Sequence, residues 1–228
     1  MIARSPIVPS ICITAWFNAA RTDGVTKTDA ANACETLANC LTISTDSGES
    51  SWPTLIEQAC NSAVPLTVVL PVPGDPCGAS PTTIRSLATE FGVIALSDGV
   101  ILGSDSAGSL KLLQQAHAIP QPDMNLLRGE LQRVVQVAAD QLSVADLVGD
   151  REAIDDQLTK FSLEHLPPTI SPRAVDELQT AAKLILVAQH AVDNSLALHS
   201  PSIDDVRIKL LNEVRRAAEK VMCGLVSR

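Results

Sequence analysis

The chain has 228 residues, of which 46% are hydrophobic and 2% aromatic, and its formal net charge at pH 7 is −9. The hydrophobic fraction predicts an ordered core of aliphatic side chains and argues against intrinsic disorder. The negative charge opposes nucleic acids and anionic membranes as partners, because both bind through a dense basic surface.

The first third of the chain predicts short helices and one strand. The first helix covers 10–20 and the second covers 28–38, with Thr28 as its N-cap. Residues 40–45 alternate enough for a strand and are followed by a polar loop. The predicted elements after that strand are a loop at 46–49 and a helix at 51–63, with Pro53 in the first turn of the helix.

The middle of the chain predicts a small sheet. Residues 66–70 are an apolar run with several β-branched side chains, which is typical of a strand that is covered on both faces. A helix is predicted at 81–90. Two further apolar runs flank Ser97-Asp98-Gly99, which is a hairpin signal. Residues 110–117 fit a strand and a helix face about equally, and we favour a strand that extends the hairpin into a meander.

The remainder of the chain has the period of helices. A break at 120–122 separates it from the sheet-forming part, and its predicted helices lie at 124–142, 152–161, 173–198 and 202–225, with Ser202 in a capping box. We therefore predict an α/β or α+β domain over 1–119 with a small mixed sheet, a linker at 120–122, and an all-α helical bundle over 123–228.

The loop that follows the strand at 66–70 is the first place to look for a function. Its sequence from 70 to 80 is LPVPGDPCGAS, and the residues we single out as ligand or partner contacts are Pro73, Gly74, Asp75, Cys77, Gly78 and Ser80. Loops at the carboxyl ends of buried strands are frequent ligand positions.

Two chemical interpretations of this loop are weak, and a rigid turn is the simplest alternative. Prolines have no N–H, so they remove donors that a bound phosphate would need, and Asp75 places a negative charge where the anion would lie. Cys77 as a nucleophile lacks a nearby histidine in the sequence. We predict no catalytic residue, and Asp75 is the one credible contact for a cation or for a basic group of a partner.

The cysteines predict structural thiols and no metal site. The chain has Cys12, Cys34, Cys40, Cys60, Cys77 and Cys223, without a Cys-x-x-Cys pair. Residues 1–8 lack the apolar stretch of a signal peptide, and no segment approaches the ~18 uncharged apolar residues of a membrane span. We therefore expect a cytoplasmic protein with free thiols, no cofactor and no membrane partner.

The charged residues of the last predicted helix have two interpretations. Basic and acidic side chains alternate along it, which is typical of a solvated face with pairs such as Asp205 and Lys209. The same face could dock an acidic partner.

Several short motifs resemble those of an uncharacterised family of actinobacterial proteins. They are Thr14-Ala15-Trp16 with Asn18-Ala19, the loop Leu70-Pro71-Val72-Pro73-Gly74-Asp75-Pro76, and Leu166-Pro167-Pro168 with Arg173-Ala174. The resemblance implies an α/β half followed by a helical half. It carries over no activity, cofactor or catalytic residue, and the family usually has an apolar or basic residue where Cys77 stands.

Taken together, these patterns favour a soluble, non-catalytic protein that acts through contacts with another protein or with a second copy of itself. The alternative is a small-molecule binding protein or an enzyme that uses a cleft near 71–80. A non-catalytic role is favoured because no catalytic motif is present.

Overall fold

A computed structural model gives the architecture of the chain. It describes residues 9–39, 42–45, 48–62, 64–71, 75, 77, 79, 92–97, 100–104, 109–114, 119–141, 165–195 and 201–227. The described strands form one mixed sheet in the N-terminal part, and long helices follow in the C-terminal part. The predicted fold class, an α/β part followed by a helical part, is confirmed.

Three helices and two strands precede the first long apolar strand. They are α1 (Pro9–Arg21), α2 (Lys27–Ala38), β1 (Thr42–Thr45), β2 (Gly48–Ser51) and α3 (Trp52–Cys60). The prediction of Thr28 as the N-cap of α2 is wrong, because Thr26 caps this helix. Its hydroxyl accepts a hydrogen bond from the backbone N–H of Asp29 at 3.0 Å and donates to the Asp29 carboxylate at 2.7 Å.

The prediction of a polar loop at 46–49 is also wrong for the second half of that segment. Gly48 and Glu49 begin β2, which pairs antiparallel with β1, with Thr45 opposite Gly48 and Thr42 opposite Ser51. The sequence of β2 is Gly-Glu-Ser-Ser and has no β-branched or aromatic residue, so its strand conformation comes from the neighbouring strand and not from local propensity.

The rest of the sheet comprises β3 (Thr67–Val69), β4 (Val93–Ser97), β5 (Val100–Ser104) and β6 (Leu110–Gln114). The strand order is β2-β1-β6-β5-β4-β3, and every pairing is antiparallel except the parallel contact of β1 with β6. The predicted hairpin and its extension into a meander by residues 110–114 are confirmed. The helices predicted at 81–90 and 152–161 lie outside the described residues.

Both faces of the sheet are covered at β3, β4 and β5. On one face Val93 and Ile101 pack with Ile119, and on the other the alternate residues Ile94 and Leu102 are fully buried. In β3 the adjacent residues Thr67 and Val68 are both buried, as predicted for a strand covered on two sides. The helical layer contributes an edge-to-face contact between the rings of Phe17 and Trp52, whose centroids are 6.2 Å apart.

The end of α1 is closed by a tight turn. Gly24 N–H donates to Ala19 O at 2.8 Å and Asp23 N–H donates to Ala20 O at 3.2 Å, which is the hydrogen-bond pattern of a Schellman motif. Asp23 takes the left-handed position with φ of 56°. A Cβ on Gly24 would lie 2.9 Å from Thr169 Cγ2, so this glycine allows the segment around Thr169 to pack against the turn.

The C-terminal part contains three described helices, α4 (Met124–Gln141), α5 (Pro172–Ser195) and α6 (Pro201–Val226). Their shared core contains Val134 and Ala138 of α4, Ala188 of α5, and Leu211 and Val214 of α6. Helix α6 begins at Pro201, one residue before the predicted cap Ser202, which therefore lies inside the first turn.

The chain divides into two compact units. The first comprises Met1–Pro122, Leu163–Ser171 and Cys223–Arg228, and the second comprises Asp123–Ser162 and Pro172–Met222. Helix α6 therefore contributes to both units, because its last turn belongs to the first and the rest to the second.

Candidate functional site

The loop after β3 is described at positions 70, 71, 75, 77 and 79, of which Asp75 and Cys77 carry its chemistry. Asp75 Oδ1 accepts a hydrogen bond from the backbone N–H of Cys77 at 3.3 Å and another from its thiol at 3.5 Å. Cys77 has a φ of 50°, which is the left-handed region. The structure thus brings these two predicted contact residues together, and the carboxylate stabilises the turn that holds the cysteine.

The other predicted contact residues of this loop, Pro73, Gly74, Gly78 and Ser80, lie outside the described residues. Ala79, between the last two, is buried. Asp75 is thus a hydrogen-bond acceptor that stabilises its own turn.

The described thiols differ sharply in accessibility. Cys12, Cys34 and Cys223 are buried, Cys60 and Cys77 are half-buried, and all five are free thiols. Burial raises the pKa of Cys12 to about 12. Burial, and the nearby Cys12, also raise the pKa of Cys34. Because the thiolate is the reactive form, the two thiols between α1 and α2 are inert in the folded protein.

We expect a thiol reagent at pH 8 to modify Cys60 and Cys77 in the folded chain, and Cys12 and Cys34 only after denaturation. Peptide mass mapping after brief alkylation checks this order. Rapid labelling of Cys12 under native conditions would contradict the buried position of α1.

Folding raises the pKa of Cys12 above its ordinary value of 9.0, so this thiol ionises at lower pH in the unfolded chain than in the folded one. The free energy of unfolding should therefore fall as the pH rises from about 9 towards about 12.

The outer edge of β3 holds a set of buried polar contacts. β3 pairs with β4 on one side only, so its other side presents backbone groups that need partners. Asn18 of α1 supplies these partners for Leu66, the residue before β3. Its Oδ1 accepts from Leu66 N–H at 2.8 Å, and its Nδ2 donates to Leu66 O at 3.0 Å. The same Nδ2 donates to Val226 O at 2.8 Å, at the end of α6.

Two more side chains complete this edge. Ser227 Oγ accepts from Val68 N–H at 3.1 Å and donates to Cys223 O at 2.7 Å. Gln121 Nε2 donates to Pro65 O at 2.7 Å and also to the Thr67 hydroxyl. The edge strand is thus closed by side chains instead of by another strand, and these polar groups are structural.

None of these edge-closing residues is among the site residues predicted from the sequence. A signal existed for Asn18, because it is a polar residue inside the apolar helix segment Ile13-Thr14-Ala15-Trp16-Phe17-Asn18-Ala19-Ala20. A buried amide in such a position needs hydrogen-bond partners from elsewhere in the chain. No comparable signal marks Ser227.

Two arginines of the helical unit share one carboxylate. Arg128 of α4 donates from Nε and Nη2 to Glu177 of α5, with the shortest distance 2.7 Å, and Arg173 donates to the same carboxylate at 3.2 Å. Burial opposes ionisation of Glu177, but the hydrogen bonds from the two arginines outweigh it and its pKa lies below the ordinary value. This cluster fixes α4 to α5.

The last helix has a different set of pairs from the predicted one. The Arg215 and Arg216 side chains both lie against Glu219, at 3.8 and 3.2 Å, and Arg215 also donates to Gln189 Oε1 of α5 at 2.9 Å. Asp205 and Lys209, both described, form no ion pair with each other, so the predicted pair is wrong. Arg215 therefore links α6 to α5, whereas the pair of Arg216 with Glu219 lies within α6.

One face of α4 carries two exposed residues. Leu126, in its first turn, is 71% exposed, and Gly129, one turn later, is exposed in the middle of the helix. A Cβ at Gly129 would meet no atom within 4 Å, so packing inside the chain does not require a glycine there. The start of the helix is fixed by Asp123, whose Oδ1 accepts from Asn125 N–H at 2.9 Å.

The described residues were also compared with the requirements of a metal site and of a membrane-spanning helix. Within the described ranges no group of three or more His, Cys, Asp or Glu is placed to hold a metal ion. No helix in that part of the chain is long and apolar enough to cross a bilayer. Comparison with known protein families, with curated proteins and with solved structures finds no match for this chain.

Proposed function

We propose that this chain is a non-catalytic protein that acts by binding another protein molecule, and that the exposed face of α4 makes the contact. The observation that supports the proposal is the combination of Leu126 and Gly129 on that face. Exposing a large aliphatic side chain to water is unfavourable, and a glycine in a helix interior lowers the stability of the helix. Both residues suit a surface that another chain covers.

The glycine carries a measurable penalty in the free chain. Glycine in a helix interior destabilises by about 1 kcal/mol relative to alanine, because it loses more backbone entropy on folding. We therefore expect Gly129→Ala to raise the free energy of unfolding of the monomer by about 0.5–1 kcal/mol, measured by urea denaturation at low protein concentration.

A second glycine provides the matched control for this substitution. Gly92 has a φ of 85°, and a Cβ there would lie 2.6 Å from Leu70 Cδ2, so Gly92→Ala should destabilise the chain. If Gly129→Ala also destabilised the monomer, the glycine would have an internal packing role and the proposal would lose its support.

Self-association is the form of protein binding that can be tested with the chain alone. Sedimentation of the wild-type protein between about 5 and 200 μM should show a mass that rises from that of one chain towards that of two, since small interfaces associate in this range. A mass of 24.1 kDa at every concentration would contradict self-association.

We place this protein in the cytosol. The support is that the described cysteines are all free thiols, including Cys60 and Cys77, which are only half-buried. Reducing compartments keep thiols in this state.

A further inference from the structure

Four side chains form a continuous line along the exposed flank of α4. Leu126, Glu130, Arg133 and Val137 recur at steps of four, three and four residues, so they lie within roughly 60° of one another around the helix and span about 16 Å. We call these four residues the α4 stripe. Leu126, Glu130 and Arg133 are exposed and Val137 is half-buried.

The charges of the α4 stripe have no ion-pair partner among the described residues. Arg128, on another side of the helix, is bound by Glu177, whereas the side chains of Glu130 and Arg133 make no ion pair or hydrogen bond with any part of the chain that the structure describes. An acidic and a basic side chain thus stand side by side between two aliphatic ones; three of the four are exposed, and Val137 is half-buried.

The order of these residues is symmetric, and this symmetry identifies the partner. We infer that the α4 stripe binds the same stripe of a second copy of this chain, with the two α4 helices antiparallel around a two-fold axis between Leu131 and Gln132. This inference rests on the proposed function. In that register Leu126 faces Val137 of the second copy, and Glu130 faces Arg133 of the second copy, each contact occurring twice.

Antiparallel pairing is favoured over parallel pairing by the charges. Two parallel copies would place Glu130 on Glu130 and Arg133 on Arg133, which is repulsive, whereas the antiparallel arrangement joins opposite charges and joins aliphatic groups. Gly129 lies beside the stripe and has no side chain, so it lets the second helix approach closely.

The size of the contact indicates a transient dimer. One helix stripe on each copy buries less than the roughly 1,200–2,000 Å² of a stable interface. The same register also brings Asp123 of one copy towards Asp140 of the other, and this repulsion at the two ends weakens the pairing. Both points predict association that is visible at tens of micromolar and not at nanomolar concentration.

Charge reversal tests the inference. Glu130→Arg and Arg133→Glu each convert two attractive contacts into two repulsive ones. The dissociation constant of each single variant should therefore be at least about tenfold higher than that of the wild type. The double variant Glu130→Arg with Arg133→Glu restores opposite charges in the antiparallel register and should regain the wild-type association. Sedimentation measures all three, and urea denaturation confirms that they remain folded.

The outcomes separate this inference from the proposed function. If the wild type associates but the single variants associate equally well, the chain binds itself through another surface; the α4 stripe is then overturned and the proposed function stands. If the double variant stays as weak as the single ones, the antiparallel register is wrong. If the wild type never associates, self-association fails as a whole.

Discussion

Replacing Asn18 by leucine should lower the free energy of unfolding by about 3–5 kcal/mol, because it leaves three buried backbone groups without partners. These groups are Leu66 N–H, Leu66 O and Val226 O, all of which bind the Asn18 amide at 2.8–3.0 Å. Leucine has a similar volume, so the loss comes from the hydrogen bonds and not from a cavity. Urea denaturation followed by circular dichroism measures the effect.

Two further variants make this prediction specific. Ser227→Ala removes the hydroxyl that accepts from Val68 N–H and donates to Cys223 O, and should cost about 1–2 kcal/mol. Asn32→Leu replaces an exposed asparagine on α2 and should change the free energy of unfolding by less than about 0.5 kcal/mol. If Asn18→Leu were no worse than Asn32→Leu, the edge of β3 would not depend on the Asn18 amide.

Replacing Leu126 by glutamate should weaken self-association by about 100-fold while leaving the fold intact. The substitution acts twice in a two-fold contact, and each copy loses an aliphatic anchor and gains a charge that must be desolvated. Because the side chain is 71% exposed in the free chain, the free energy of unfolding should change by less than about 0.5 kcal/mol. Sedimentation equilibrium measures the association.

Other exposed aliphatic residues provide controls for Leu126. Val64 is 48% exposed and belongs to the first unit, and Val206 is 58% exposed on α6. Val64→Glu and Val206→Glu add the same charge away from the α4 stripe and should leave the association unchanged. Equal weakening by all three variants would indicate a non-specific effect of net charge and not a contact at α4.

The local features of the fold could be predicted from sequence because short-range signals determine them. The β-branched run at 67–69 and the hairpin around Ser97 form where the sequence predicts them, and α4 follows its apolar period from Met124 to Gln141. The ambiguous segment 110–114 becomes a strand because β5 on one side and β1 on the other supply backbone partners.

The missed features depend on partners that lie outside the segment itself. β2 is a strand only because β1 lies beside it, and the partners of Asn18 lie 48 and 208 residues away in sequence. Local propensity contains no information about such partners. A polar tetrapeptide is therefore predicted to be a loop, and a buried amide is predicted to be an ordinary helix residue.

The candidate site shows the same division. The loop at 70–80 attracted attention for its composition, and Asp75 and Cys77 do contact each other, although the acceptor serves the turn itself. The α4 stripe was visible in sequence only as part of a helical period. That Leu126 is exposed, and that a Cβ at Gly129 would meet no atom within 4 Å, depends on how α4 packs against α5 and α6, which the period alone does not specify.

The antiparallel contact between two α4 helices is tested most directly by mixing the two single charge variants. A copy with Glu130→Arg presents two arginines, and a copy with Arg133→Glu presents two glutamates, so each should be monomeric alone. An equimolar mixture at about 50 μM should sediment with a mass close to twice 24.1 kDa, because both contacts are then attractive. A mixture that remains monomeric under conditions where the wild type associates would contradict the account.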